Sequence, residues 1–299
     1  MLLLPLQIKT QIKKMQNKIT ILGTGTSTGV PTIGCNCQVC TSKDKRNHRL
    51  RTSVHLESSD GISILVDTSP DLRYQVLRSS IKKVDAVILT HEHADHLHGI
   101  DDLRPFCFAK TPKSSINVIP IYTTKKVSEE LTIRFPYIFQ ANKIFDLNHP
   151  QIGGGIPHLN LINIDTDTDQ PELLLDEILG EKFTFFISPH GYTHTISFIH
   201  SKLGYFVDIA CIEEKTLETL KNANLDILII DCLREKKHQT HLNLDTALSY
   251  AEYINAKFTG LIHLAHNLEH QSLTDLLMSR YGCDKKILPL EDGQILYYS

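Results

Sequence analysis

Five short apolar runs, each closed by an Asp or a His, punctuate this 299-residue chain. They are Ile62 to Asp67 (ISILVD), Ala86 to His91 (AVILTH), Leu203 to Asp208 (LGYFVD), Leu225 to Asp231 (LDILIID) and Phe258 to His263 (FTGLIH). Near-continuous apolar runs of this length predict strands buried on both faces rather than half-exposed ones. Between them, helical patterning covers Ile212 to Ala223, Leu244 to Asn255 and Gln271 to Tyr281. The expectation is an α/β chain whose strands deliver polar residues to one edge, where open α/β folds place function. No internal repeat or low-complexity linker divides the chain, so residues 17–299 read as a single domain. Residues 1–16 read as an N-terminal extension, and Asn148 to Gln170, rich in Gly and Asp, reads as loop.

Charge changes this picture little. The formal net charge is -3, so no global positive field steers the chain to nucleic acid or anionic lipid. Lys43 to Arg51 (KDKRNHRLR) carries five basic residues and one acid, and reads either as a solvated loop or as a phosphate-contacting patch. No apolar run approaches the roughly 18–20 residues of a membrane span. The apolar patch at Met1 to Leu6 precedes the first positive charges, the reverse of secretory order, so a cytoplasmic, reducing setting is expected. There, close cysteines bind metal more often than they form disulfides. Of seven cysteines, Cys107, Cys211, Cys232 and Cys283 sit among apolar residues and read as small core groups. The other three crowd into Gly34 to Cys40 (GCNCQVC). Cys35, Cys37 and Cys40 could be three of four ligands of a closed zinc site, or three around an open catalytic one. They could also be reactive or incidental thiols, although no nearby pattern supplies a base for a cysteine nucleophile.

The densest chemistry is Thr90 to His96 (THEHADH). His91 and His93 lie two apart and project to one side of an extended strand end. Asp95 and His96 follow at the turn into a helix and can face the same cavity. Imidazole with carboxylate suits zinc, manganese or iron.

This H-x-H-x-D-H resembles the signature of the metallo-β-lactamase superfamily, and the likeness extends along the chain. Asp67, His190 (in SPHG), Asp208 and His263 occur in that superfamily's order. The resemblance implies a four-layer αββα sandwich of two mixed sheets. It implies one divalent ion, zinc or manganese, on His91, His93 and His190, and a second on Asp95, His96 and His263. Asp208 would lie between them, with Asp67 orienting a ligand from behind. Within the superfamily the chain is similar to the phosphoribosyl cyclic phosphate phosphodiesterases of the carbon–phosphorus lyase pathway. Gly23 to Pro31 running into GCNCQVC, Thr240 to Leu244 (THLNL) and Leu261 to His266 (LIHLAH) carry that likeness. It implies hydrolysis of a small cyclic phosphate ester by a metal-bridging hydroxide, with His241 contacting phosphate and protonating the leaving oxygen. It also implies a structural zinc on Cys35, Cys37, Cys40 and His266. Lys143 to Lys182 and the extra His98 depart from the group. A small phosphate ester is the expected partner, nucleic acid and membrane are not, and a homodimer is compatible with the class.

Two alternatives share the fold: a tRNA-processing endonuclease, and a protein resembling the pyrroloquinoline quinone accessory protein. Lys43 to Arg51 is the sole RNA-docking candidate for the first, and the intact H-x-H-x-D-H speaks against the second. Gly23-Thr24-Gly25 with Gly29 is a poor dinucleotide fingerprint, since Val30-Pro31 follows where a helix should start. Backbone turns near the metal edge are the better reading. Asp231 reads either as a support to the site or as structural. His48, His55, His149, His158, His194, His200, His238 and His270 read as surface or satisfied core residues.

Overall fold

In a computed structural model of the chain, residues 16–108, 117–140, 155–164, 174–282 and 286–299 are described. Two seven-stranded sheets stack face to face. The first has the order β14-β1-β2-β3-β4-β5-β6. Its strands are β1 (Asn17–Gly23), β2 (Ser53–Glu57), β3 (Ser63–Val66), β4 (Ala86–Ile88), β5 (Ile119–Thr123), β6 (Leu159–Asn163) and β14 (Ile295–Tyr298). The second has the order β13-β12-β11-β10-β9-β8-β7. It comprises β7 (Leu174–Ile178), β8 (Glu181–His190), β9 (Thr193–His200), β10 (Leu203–Phe206), β11 (Ile227–Asp231), β12 (Phe258–Ile262) and β13 (Lys286–Pro289). Both sheets are mixed. β3-β4-β5-β6 and β10-β11-β12-β13 run parallel, and the remaining pairs are antiparallel.

Alternation along the strands explains why their sequences are apolar without a break. Leu203, Tyr205, Ile227, Ile229 and Ile262 enter the core between the sheets. Their neighbours Phe206, Leu228, Ile230 and Leu261 face a second core beneath helices Glu214–Asn222, Leu244–Ile254 and His270–Tyr281. On the other side, Leu65, Val87, Ile119 and Ile121 pack with Leu72, Val127 and Leu131 of helices Leu72–Arg78 and Lys125–Arg134. Both faces of each central strand are therefore dry, and the layers are αββα.

Three expectations need correction. Within the stretch read as loop, Leu159–Asn163 is an edge strand paired parallel with β5, because Leu159, Leu161 and Ile162 alternate onto the two cores. Residues 148–154 and 165–170 of that stretch lie outside the described residues. Cys107 and Cys232 are buried but Cys211 is exposed, since it follows the strand in a loop before the next helix, and Cys283 lies outside the described residues. Finally, Lys43 to Arg51 is free only in part: Lys43 and Lys45 are exposed, but its three arginines are engaged within the fold. Arg46 pairs with Asp44 at 2.6 Å and Arg51 with Asp71 at 2.7 Å. Arg49 is buried, donating to the carbonyls of Ala265 at 2.9 Å and Leu268 at 2.7 Å. No described helix is long and apolar enough to cross a membrane.

Candidate metal centre

The strand-end polar residues converge on one edge. Asp67 follows β3, Asp208 follows β10 and His263 follows β12, and all three adopt left-handed backbone, with φ of 64°, 56° and 63°. That conformation is costly for a residue with a Cβ, and it is sparsely used outside Gly, Asn and Asp. Here it turns each side chain off the end of its strand into a common cavity. His91 and His93 leave the end of β4, Asp95 and His96 sit in the short helix Ala94–Leu97, and His190 closes β8.

The ring nitrogens then fall into place. His91 Nε2 lies 3.0 Å from His93 Nδ1, and His190 Nε2 lies 3.2 Å from that same atom. His96 Nε2 is 3.2 Å from Asp95 Oδ2 and 3.2 Å from Asp208 Oδ2, while His263 Nε2 is 3.3 Å from Asp208 Oδ1. Nitrogens sharing one tetrahedral ion would stand about 3.3 Å apart. Donor atoms of His91, His93 and His190 cluster within 4.8 Å, as do those of His91, His96 and Asp208, and those of His190, Asp208 and His241. The division of ligands into two separate sets is thus less sharp than the sequence expectation, with His91, His190 and Asp208 each shared between two clusters.

The outward ring nitrogens explain this orientation. Thr90 Oγ1 donates to Asp67 at 2.9 Å, so its oxygen is left to accept from His91 Nδ1 at 3.0 Å. Thr52 Oγ1 donates to the Gly25 carbonyl at 2.9 Å and in the same way accepts from His263 Nδ1 at 3.1 Å. His190 Nδ1 donates to the Thr240 carbonyl at 2.8 Å, and His96 Nδ1 to Asp67 at 2.7 Å. His93 Nε2 faces the Tyr192 hydroxyl at 3.4 Å. With the proton held on the outer nitrogen, the rings of His91, His96, His190 and His263 turn a lone pair inward, the tautomer a metal ligand needs.

Electrostatics favours a cation here. Burial pushes His91 well below the ordinary histidine value, His190 down to about 4 and His263 down to about 3, so these rings are neutral. Burial acts on His96 too, but Asp95, Asp208 and Asp67 outweigh it and raise that ring well above its usual range. The carboxylates around His96 therefore demand positive charge, which a proton or a dication can supply. His96 Nε2 and Asp208 Oδ2 are buried and face each other at 3.2 Å without a well-directed hydrogen bond to any described residue. Orphaned inward atoms beside inward lone pairs are what a site built for divalent ions presents, and the donor set fits such ions.

A second cluster lies one turn further along the chain. Cys35, Cys37 and Cys40 place sulfur 3.3, 3.6 and 3.3 Å from His266 Nδ1. The sulfur–nitrogen edge of a tetrahedral zinc site is about 3.5 Å, so these four fit one ion. The Cys40 amide, 3.4 Å from Cys37 sulfur, is the main cause holding the Cys37 thiol down at about 6.

Several supporting residues escaped the sequence reading. Thr52 and Thr240 carry no local signal, whereas Thr90, adjoining the histidine motif, could have been suspected. Asp231, left open between two roles, accepts from His241 Nδ1 at 3.0 Å and from the Ile209 amide at 3.1 Å. Glu92 turns away from the cluster and binds Lys126 at 2.7 Å and Thr193 at 2.6 Å. His98 is exposed, edge-on to Phe135 at 5.8 Å, and takes no part in the cluster. Gly23 and Gly25 do form close backbone turns. A Cβ on Gly23 would lie 2.0 Å from the Arg51 carbonyl oxygen, and Gly25 bridges Arg51 and Leu264 beside the site.

Comparison with known proteins places the chain in a known family. The family described as beta-lactamase superfamily domain matches residues 63–264. A solved structure described as a new diphosphatase from the PhnP family is 34% identical, with a TM-score of 0.79, covering 95% of this chain and 98% of that one. An octanoyltransferase of Porphyromonas gingivalis is 34% identical over 259 residues, 86% of this chain and 48% of that protein. Coenzyme PQQ synthesis protein B of Methylobacterium radiotolerans is 28% identical over 100 residues, 29% of this chain and 33% of its own length. The chain thus spans about half or less of these two curated relatives.

Proposed function

Because the chain belongs to the beta-lactamase superfamily, we propose that it is a metal-dependent hydrolase of small phosphodiesters, cyclic phosphate esters foremost. His91, His93, Asp95, His96, His190, Asp208 and His263 would hold two divalent ions, zinc or manganese. Cys35, Cys37, Cys40 and His266 would hold a structural zinc. When bound, the divalent ions supply Lewis acidity, neutralising charge on phosphoryl oxygens and acidifying water. Asp67, Thr52, Thr90 and the Thr240 carbonyl keep the imidazoles aimed inward and in the correct tautomer.

The observation that carries the phosphoester reading is His241. Its ring stacks on His263 at 4.9 Å and meets His190 at 4.8 Å, so it borders the cluster. Buried Asp231 accepts from its Nδ1, which leaves Nε2 to serve a substrate. Burial disfavours the imidazolium, but the hydrogen bond and charge of Asp231 outweigh it and raise His241 above the ordinary value. A protonated imidazole in this place can give its proton to a departing alkoxide oxygen as the phosphorus–oxygen bond breaks.

The test uses leaving groups. Metal-loaded protein should hydrolyse bis(p-nitrophenyl) phosphate and a nucleoside 2′,3′-cyclic phosphate. His241→Ala should cost the cyclic ester roughly 100-fold or more in kcat, and the p-nitrophenyl ester far less, because p-nitrophenolate leaves without a proton. No hydrolysis of any phosphodiester would sink the reading. A second reading, cleavage of a diphosphate linkage, is favoured by the likeness to the PhnP-family diphosphatase. Turnover of a dinucleoside diphosphate above that of the cyclic ester would establish it. The tRNA-processing alternative finds little support in Lys43 to Arg51, where Arg46 and Arg51 are held in ion pairs and Arg49 is buried against backbone carbonyls.

A further inference from the structure

Tyr192 is 85% exposed, a large aromatic ring on the rim of a buried polar cluster. Exposed aromatics on loose loops need no explanation, but this one stands on a fixed turn. The turn Gly191-Tyr192 links β8 to β9 directly after His190. Gly191 has φ of 65°, and a Cβ there would lie 2.6 Å from Thr240 Cγ2, so the turn is pressed against the segment leading to His241. His190 donates to the Thr240 carbonyl from the same side. Thr193, the next residue, is buried and receives a hydrogen bond from Lys126 Nζ at 2.7 Å. The phenol itself reaches His93 Nε2 at 3.4 Å, with ring centroids 6.1 Å apart. Lys126 Nζ lies 5.9 Å over one face of the ring. A rigid aromatic face is thereby held in water beside the histidine cluster.

The neighbouring rim is cationic and ordered. Arg234 donates to the carbonyls of Lys236 at 3.2 Å and Lys237 at 3.3 Å, and Asn243 to that of Glu235 at 3.0 Å. Lys236, Lys237 and His238 are exposed on this loop, and the His238 ring lies 5.2 Å from that of His241.

We propose that Tyr192 is a stacking platform for the planar base of a nucleotide-type substrate, whose phosphate lies at the histidine cluster. The proposal rests on the phosphoester reading of the same site and narrows its substrate class. Stacking is tolerant of base identity, because every base has a π-face, and an open tyrosine face requires no hydrogen-bond code.

The experiment reads binding without turnover. Zinc-loaded protein is titrated calorimetrically with AMP and with ribose 5-phosphate, which share a sugar phosphate and differ in the base. AMP should bind at least about fivefold tighter. Tyr192→Ala should bring AMP to the affinity of ribose 5-phosphate and leave the latter and the metal content unchanged, while Tyr192→Phe should keep the difference. Equal affinities in the wild type, or no binding of either ligand, would overturn the proposal. So would equal weakening of both ligands or loss of metal in Tyr192→Ala, because Tyr192 would then act through His93. Failure to hydrolyse phosphodiesters would instead strike the proposed function, and the two failures are read in separate assays.

Discussion

The two candidate metal clusters are neighbours in sequence, three residues apart at His263 and His266, yet they are built by opposite rules. The cysteine cluster offers four donors for one ion and is only half covered, with Cys35, Cys37 and His266 partly open to solvent. Its backbone is made of local turns, such as the Thr41 amide on the Cys37 carbonyl at 3.0 Å. The histidine–aspartate cluster is buried, draws donors from both sheets and shares donors between overlapping sets. Three residues around it are held in left-handed backbone, and four of its outward ring nitrogens are individually tied. A saturated tetrahedral site stabilises structure, whereas a site with excess, precisely aimed donors and a protonatable neighbour keeps room for chemistry.

The comparison can be broken from either side. The largest effect should come from Asp208→Asn, which keeps the side-chain volume and removes the charge facing His96 and His263. Phosphodiester hydrolysis should fall roughly 1000-fold. Elemental analysis should show metal lost from the buried cluster and retained at the cysteines. Next is Cys37→Ser, which should remove about one metal per chain and lower the thermal midpoint by several degrees, since structural zinc contributes folding free energy. Hydrolysis by the folded fraction should fall less than tenfold. A collapse of kcat to the level of Asp208→Asn would mean the cysteine ion takes part in the chemistry.

The smallest effect concerns the helix that follows the cysteine cluster. Glu269 caps His270–Tyr281, accepting from the Ser272 amide at 2.7 Å and from Asn47 at 2.6 Å. Burial pushes its carboxyl up, but these bonds outweigh that and hold it at about 2, below its usual 4.5. The stability it contributes is therefore fully present above about pH 4.5 and is lost as pH falls toward 2. Glu269→Gln should lower unfolding free energy at pH 7 by about 1 kcal/mol, and urea titrations should show the gap closing through that acid window.

Legibility in the sequence followed the range of each interaction. His91, His93, Asp95 and His96 are contiguous, and Asp67, Asp208 and His263 end apolar runs, so position alone marked them. The fold was implied by the resemblance those residues carry; strand alternation by itself was compatible with it without requiring it. Partners that are single hydroxyls or carbonyls far off in the chain left no trace, as with Thr52 behind His263 and Thr240 behind His190. The same blindness inflated the basic run. Nothing in KDKRNHRLR says that Arg49 is buried against carbonyls of Ala265 and Leu268, more than two hundred residues later. Local charge is written in the sequence, but its neutralisation is written in the fold.

Handedness at Asp67, Asp208 and His263 has a bearing on how such a site can vary. Each position is filtered twice, once by the need for a donor and once by a φ near 60° that penalises most side chains. Glycine meets the second demand and fails the first, glutamate meets the first and strains the second, and valine and isoleucine fail both. Saturation libraries at these codons should therefore return very few active clones. Drift toward new substrates would fall to rim positions such as Tyr192 and Lys236, whose backbone imposes no such toll.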